Sequence, residues 1–242
     1  MSIMISDLSI IIPAYNEAKR IGVTLAAIQE YSVHSPINIQ VVIVDDGSTD
    51  EIVSVVQQRR QQHVRIVQLP KNSGKFAALK KGVEEATSSC VLFYDADGAT
   101  PIAMLDKALP LTRKNACIIG SRAHADTKIM TRQSIARVLA GRMGNTLIRL
   151  LTGLKTKDSQ CGFKLVKTEA ARTVMSRMTV DRFAGDIEFL HLLEAMGYST
   201  AEIGVEWRDV PVSTVRFRDY KQTLRDLLRI RRNIKNKYYT FL

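Results

Sequence analysis

Along its first half the chain alternates short apolar runs with segments of helical periodicity. Residues 8–13, 39–45, 64–69, 90–94 and 116–121 are brief, β-branched-rich runs bounded by turn-forming residues, the pattern of buried strands. Between them, residues 17–31 repeat Ile21, Leu25 and Ile28 on one side, as a helix does. Further helices are expected from about residue 74 to 86 and after Pro101. The stretch Ser48-Thr49-Asp50-Glu51 has the form of a capping box opening a helix. Strand and helix alternating at this spacing predict βαβ units and a mainly parallel, Rossmann-like central sheet flanked by helices, an α/β fold.

After residue 121 the rhythm changes. Residues 131–153 read as one long helix, with Ile135, Val138, Leu139, Leu147, Leu150 and Leu151 at helical spacing. A polar loop, KTKDSQCGFKL, follows, and then helices near 168–178 and 186–196. Without repeats or a linker, residues 1–215 are read as one domain and 216–242 as a basic tail. That tail holds nine Lys or Arg against two Asp. Tyr220, Leu224, Leu227, Leu228, Ile234 and Tyr238 fall along one helical face, with Arg225, Arg229, Arg232 and Lys235 elsewhere. Such a basic amphipathic helix suits the headgroup region of an anionic bilayer. It equally suits a terminal helix packed on its own domain with a solvated basic face.

Composition sharpens this. At 242 residues and 45% hydrophobic the chain can bury a full core, and its net charge of +11 calls for an anionic partner. Three scattered cysteines, Cys90, Cys117 and Cys161, argue against a disulfide framework or zinc site and fit a reducing compartment. No apolar run reaches the ~18 residues that span a bilayer. The N-terminus lacks a cationic segment ahead of its apolar residues, so no signal peptide is expected.

The candidate chemistry lies where strands end. VLFYDADGATP places Asp95 and Asp97 two residues apart at the carboxyl end of a strand, the edge where open α/β sheets bind ligands. In extended chain both would face one side, and carboxylate oxygens suit Mg²⁺ or Mn²⁺. Two other exits, IIIPAYNE and VVIVDDGSTD, bring Tyr15, Asn16 and Glu17, then Asp45 and Asp46, toward the same edge. No GxGxxG follows the first strand, KNSGKFAAL lacks the remainder of a P-loop, and no GxSxG occurs. The four histidines show no metal-ligand spacing. Dehydrogenase, P-loop NTPase and serine hydrolase chemistry all lose support.

Taken in order, IIPAYNEAKRI, VVIVDDGSTD, NSGKFAALKKG, YDADGATP, GSR and DSQCGFKL resemble the inverting glycosyltransferases of family 2 with the GT-A fold. Within that family the chain is most similar to polyprenyl-phosphate sugar transferases, in the branches that move glucose or mannose onto dolichyl phosphate. DADGAT, QCGFK, GDIEFL and VEWRDVP favour the glucose branch. The resemblance implies that Pro13, Tyr15, Glu17, Val44 and Asp46 hold the nucleoside. Asp95, Ala96 and Asp97 match the motif that holds the divalent metal, Mg²⁺ or Mn²⁺, and the nucleotide diphosphate. Arg122 matches a basic residue near the reacting phosphates, and Lys164 is a second. Ala99 stands where mannose-transferring members often carry a polar residue, so this motif does not supply the metal's remaining ligands.

A phosphate acceptor is already largely dianionic at neutral pH, its second pKa being about 6. Cations that aim it therefore matter more than a strong base, and Arg122, Arg132 and Lys164 are the candidates. Asp186 is either the N-cap of its helix or a group near the sugar; helical geometry turns Glu188 away from it. The expected reaction is transfer of a sugar, glucose from UDP-glucose first, to a polyprenyl phosphate at a membrane's cytosolic face, the tail on its anionic surface. GDP-mannose and UDP-N-acetylglucosamine are further donors, and homo-oligomerisation is open. One rival reading is a family 2 enzyme with a soluble glycan or protein acceptor. Another is a non-catalytic nucleotide-sugar- or nucleic-acid-binding module; against nucleic acid stand the acidic strand exits and the lack of an aromatic platform.

Overall fold

The structure, a computed structural model, describes residues 5–59, 61–131, 135–208 and 217–239 of the 242-residue chain. All five expected strands form: β1 (Asp7–Ala14), β2 (Asn38–Asp45), β3 (Val64–Gln68), β4 (Cys90–Phe93) and β5 (Cys117–Ser121). Between and after them run α1 (Ala18–His34), α2 (Ile52–Gln58), α3 (Lys75–Glu85) and a short α4 (Leu105–Ala108) set between 3₁₀ turns. The second half adds β6 (Lys128–Ile129), α5 (Ile135–Thr152), β7 (Lys164–Lys167), α6 (Thr168–Met175) and α7 (Gly185–Ala195). It closes with β8 (Thr200–Gly204), β9 (Glu206–Trp207) and α8 (Phe217–Lys235).

Seven strands make one sheet in the order β3-β2-β1-β4-β7-β5-β8. Every pairing is parallel except those of β7, which runs antiparallel to both β4 and β5. The apolar runs of β1, β2 and β4 are continuous because helices cover both faces of the sheet. On one face, Ile21, Leu25 and Ile28 of α1 pack with Ile102 and Leu105. The other face carries α3, α6, α7 and α8, with Phe76, Phe93 and Phe189 forming an aromatic cluster at centroid distances of 5.3–6.5 Å. β3 is an edge, and it exposes Arg65 and Gln68 there.

β2 and β3 lie to one side of β1 and β4 to the other, so strand order reverses at β1. The carboxyl ends of β1, β2 and β4 therefore meet at a topological switch point. Pairing of β4 with β1 ends at Ile11↔Phe93, so Pro13, lacking an N–H, lies beyond it and opens no gap on that side.

The tail's apolar face divides. Leu227 and Ile230 are buried in the core beside Ile148 of α5, while Tyr220, Leu224, Leu228 and Tyr238 stay exposed. The apolar stripe is wider than one contact can cover, so its inner part is core and its outer part surface. Fully burying a Leu or Ile side chain contributes about 1.5–3 kcal/mol, so Leu227 and Ile230 hold α8 to the domain. Of the long helix, Ile148 is buried whereas Leu147 and Leu150 face outward. The three cysteines are free and buried. Among the described residues no helix is long and apolar enough to cross a membrane.

Candidate active site

The exit loops of β1 and β2 are stitched to each other. Asn16 adopts φ 57°, a left-handed conformation that Asn tolerates, and its backbone N–H donates to Ser48 Oγ at 2.9 Å. Asn16 Oδ1 accepts from the Thr49 backbone N–H at 2.8 Å, and Asp50 Oδ2 accepts from Ala18 N–H at 2.8 Å. These bonds correct the capping-box reading. Ser48 and Asp50 turn across to the neighbouring loop, and α2 begins at Ile52 after a Glu51 that makes no side-chain cap.

Asp46 is buried and organises the third loop. Its two oxygens accept from the Ser73 and Gly74 N–H groups at 2.7 and 2.8 Å. Burial raises its carboxyl above the ordinary range against the pull of these bonds. Glu17 pairs with Arg20 at 2.6 Å. Burial lifts its carboxyl too, Arg20 draws it down, and the charges of Asp97 and Asp50 add to the rise. Val44 and Ala96 are buried, while Pro13 and Tyr15 are partly exposed.

Asp95 and Asp97 do not sit in extended chain as expected. Gly98, at φ 62°, closes a turn whose N–H returns to the Asp95 carbonyl at 3.1 Å, and the Ala99 N–H donates to Asp97 Oδ1 at 3.1 Å. Both still line one cavity of about 140 Å³, together with Arg122, Gln160, Gly162 and Trp207. Asp97 also borders a larger groove, about 570 Å³, between α1 and the turn after Pro101. The larger groove adds Glu30, Asp106 and Arg208 to Asp97, whereas the smaller cavity is the one that Asp95, Asp97 and Arg122 share.

Beneath it lies an ion network, buried at Lys164 and Asp186 and open to the cavity at Asp95. Lys75, the first residue of α3, places Nζ 2.8 Å from Asp95 Oδ1 and 3.6 Å from Asp186 Oδ2. Lys164 Nζ lies 2.6 Å from Asp186 Oδ1 and also donates to the Cys161 carbonyl. Burial acts to raise the Asp95 carboxyl, but Lys75 above all, with Lys164 and Arg122, holds it below the ordinary range. Asp97 goes the other way, lifted by burial and then by the charge of Asp95. Lys75 itself is raised, since Asp186 and Asp95 outweigh its desolvation.

Arg122 is gripped by Asp158, with Nε–Oδ2 at 2.7 Å and a terminal nitrogen 2.8 Å from Oδ1. Its guanidinium lies 5.7 Å from the centroid of the Trp207 ring.

The fold thus gathers Glu17, Asp95, Asp97, Arg122, Lys164 and Asp186 around one edge of the sheet. Two expectations change. Lys164 is only 1% exposed, so it acts on the cavity through Asp186, which Lys75 links to Asp95, and not by direct contact with an acceptor phosphate. Asp186 lies inside the first turn of α7, after Ala184, and pairs with lysines; it is not the N-cap. Arg132 lies outside the described residues. Sequence reasoning missed Lys75, Asp158, Gln160 and Trp207. For Lys75 a signal existed: a lysine directly after a glycine at a helix start, next to an acidic strand end.

The donor set fits a hard divalent cation. Two carboxylates share one cavity; burial first and then the charge of Asp95 lift Asp97, and a cation between them would offset both. Among the described residues no group of three or more His, Cys, Asp or Glu is placed to hold a metal. Further ligands would have to come from elsewhere, including substrate oxygens.

Comparison with known proteins agrees. The Glycosyl transferase family 2 model matches residues 9–175. The dolichyl-phosphate beta-glucosyltransferase of Drosophila melanogaster is 34% identical, covering 93% of this chain and 74% of that protein. Its Homo sapiens counterpart is 34% identical, covering 93% and 75%. In structure, glucosyl-3-phosphoglycerate synthase from Mycobacterium tuberculosis, solved with Mn²⁺ and UDP-glucose, aligns with a TM-score of 0.68 and 16% identity over 93% of this chain and 77% of that one. At that identity the likeness speaks for the fold, a GT-A-like single domain. A family match across two strand exits, the paired aspartates and the Arg122–Asp158 clamp leaves one conclusion: the chain belongs to glycosyl transferase family 2 and is a glycosyltransferase.

Proposed function

We propose that the protein transfers glucose from UDP-glucose, with inversion, to a polyprenyl phosphate at the cytosolic surface of a membrane. The observation that carries this reading is the cavity where Asp95 and Asp97 face the Asp158-held guanidinium of Arg122. Its walls offer carboxylates for a cation and a fixed cation for a phosphate. The named curated relatives use the same acceptor class and sugar by name.

In this reading the exits of β1 and β2, with Pro13, Tyr15, Glu17, Val44 and Asp46, surround the nucleoside, and the 95–97 turn faces its diphosphate. Asp95 and Asp97 would hold Mg²⁺ or Mn²⁺, which when bound offsets the charge of the departing diphosphate. Lys75 keeps Asp95 ionised and fixed. Arg122, locked by Asp158, aims the acceptor phosphate. Lys164 and Asp186 stiffen the floor. An acceptor already ionised needs no strong base, which leaves Asp95 and Asp97 for the cation.

The outer face of α8 lies on the bilayer: Leu224 and Leu228 enter the headgroup region while Arg225, Arg229 and Arg232 meet anionic lipid. The test is sugar transfer to a short polyprenyl phosphate from UDP-glucose, GDP-mannose and UDP-N-acetylglucosamine, with Mg²⁺, Mn²⁺ or chelator, beside Asp97→Ala. Metal-dependent transfer from UDP-glucose, lost in the variant, is expected. Transfer only to a soluble glycan, or none from any donor by folded protein with membranes supplied, overturns the reading.

A further inference from the structure

α3 begins at Lys75, preceded at the N-cap by Gly74, which has no side chain to cap the helix. The cap comes from elsewhere in the chain: the Asp181 carbonyl accepts from the Phe76 and Ala77 N–H groups at 2.8 and 3.1 Å. Gly74, at φ 116°, allows this approach, since a Cβ there would stand 2.4 Å from that carbonyl. The Asp181 carboxylate also takes Lys80 at 2.8 Å. The direction in which Lys75 leaves its helix toward Asp95 therefore depends on the 179–182 loop.

That loop is held by Glu188, a fully buried carboxylate with no part in the cavity. Glu188 accepts from the Thr179 N–H at 3.0 Å, the Thr179 hydroxyl at 2.7 Å and the Val180 N–H at 2.8 Å. The Tyr239 hydroxyl, just past α8, donates to the same carboxylate. Asn233 of α8 donates to Thr179 Oγ1 at 3.3 Å and to the Tyr239 oxygen at 3.1 Å. Buried charge-assisted bonds of this kind are strong and geometrically restrictive.

We propose that Glu188 and Tyr239 are positioning residues for the transfer reaction: through the 179–182 loop they fix the start of α3 and hold Lys75 against Asp95. The C-terminal helix is then part of the support of the active site. The inference rests on the proposed transfer only for its kinetic readout.

The experiment uses the full chain and compares Tyr239→Phe, Asn233→Ala, Lys75→Met and Tyr239→Phe/Lys75→Met, below their measured melting temperatures. Amide exchange at Phe76 and Ala77 is followed with kcat and KM. Tyr239→Phe is expected to accelerate exchange at these two amides about tenfold beyond amides in α1, and to lower kcat about tenfold with donor KM changed less. With Lys75 already replaced, removing the hydroxyl should lower kcat no more than about twofold further. Asn233→Ala should shift both readouts in the same direction, less far. Unchanged exchange at Phe76 and Ala77, or losses that multiply in the double variant, overturn the proposal. If the wild type transfers no sugar, the transfer reading fails, and the exchange arm still decides whether Tyr239 positions α3.

Discussion

Gly162 lies directly against Asp95: a Cβ built on it would stand 1.8 Å from Asp95 Oδ2. No other residue type fits there without moving the carboxylate. Gly162→Ala should therefore displace the whole Asp95 carboxyl group from Lys75 while leaving the fold intact, since every close atom belongs to that one side chain. We expect at least about a tenfold loss of transfer, with a stability change within roughly 1 kcal/mol. Steady-state kinetics and thermal melts on the same preparation check both halves; full activity would mean that the carboxylate's place is immaterial.

The clamp on Arg122 makes stability depend on pH. Burial pushes the Asp158 carboxyl up, but its bonds and charge contact with Arg122 bring it below the ordinary range. A carboxyl lower in the folded than in the unfolded chain stabilises fully above its unfolded value, about 3.9. That stabilisation is lost as pH falls through the folded value. Asp158→Asn should be less stable near pH 7 by about 1–3 kcal/mol. The gap should close on acidification below about pH 4. Urea midpoints across this range measure it, and a gap constant with pH would rule the clamp out.

Asn16 supports the sheet edge in two separable ways. Asn16→Gly keeps the left-handed backbone and loses the bonds to Thr49, whereas Asn16→Ala loses the bonds and strains the backbone. Melting temperatures should fall in the order wild type, Gly, Ala, with the full drop worth about 1–3 kcal/mol. Ala matching or exceeding Gly would contradict the strain.

For the membrane reading, Leu224→Glu and Leu228→Glu each remove an exposed apolar side chain without entering the core. Partition onto vesicles of anionic phospholipid should drop about tenfold per substitution. Raising salt should weaken the wild type as well. Sedimentation with vesicles decides, and unaltered partition would leave α8 as a purely structural helix.

The parallel half of the fold was legible because continuous apolar runs have few other uses at that length. β7 was not: KLVK is four residues with lysine at both ends, and Lys164 is buried only because Asp186 and the Cys161 carbonyl receive it. No local pattern shows such a partner. The same holds at Ser48 and Asp50, which fit a capping box in sequence but bond to Asn16 and Ala18 on another loop. At the site, Asp95, Asp97 and Arg122 could be named from motifs. Asp158 and Gln160 became visible only once chain segments far apart in sequence were brought together, and Lys75, though marked by its place after a glycine at a helix start, gained its role only there.

β7 is reversed relative to its neighbours, so its first residue, not its last, reaches the edge where the other strands finish. Two kinds of connection thus face each other across the cavity. The segment leaving β4 forms one wall, and the segment arriving at β7, through Gln160, Cys161 and Gly162, forms the other, with Arg122 and Trp207 between them. The two walls belong to separate stretches of the gene. Surface connections tolerate change better than the strands they join. Away from the contact of Gly162 with Asp95, where the walls must change together, the reversal lets each connection vary without the other.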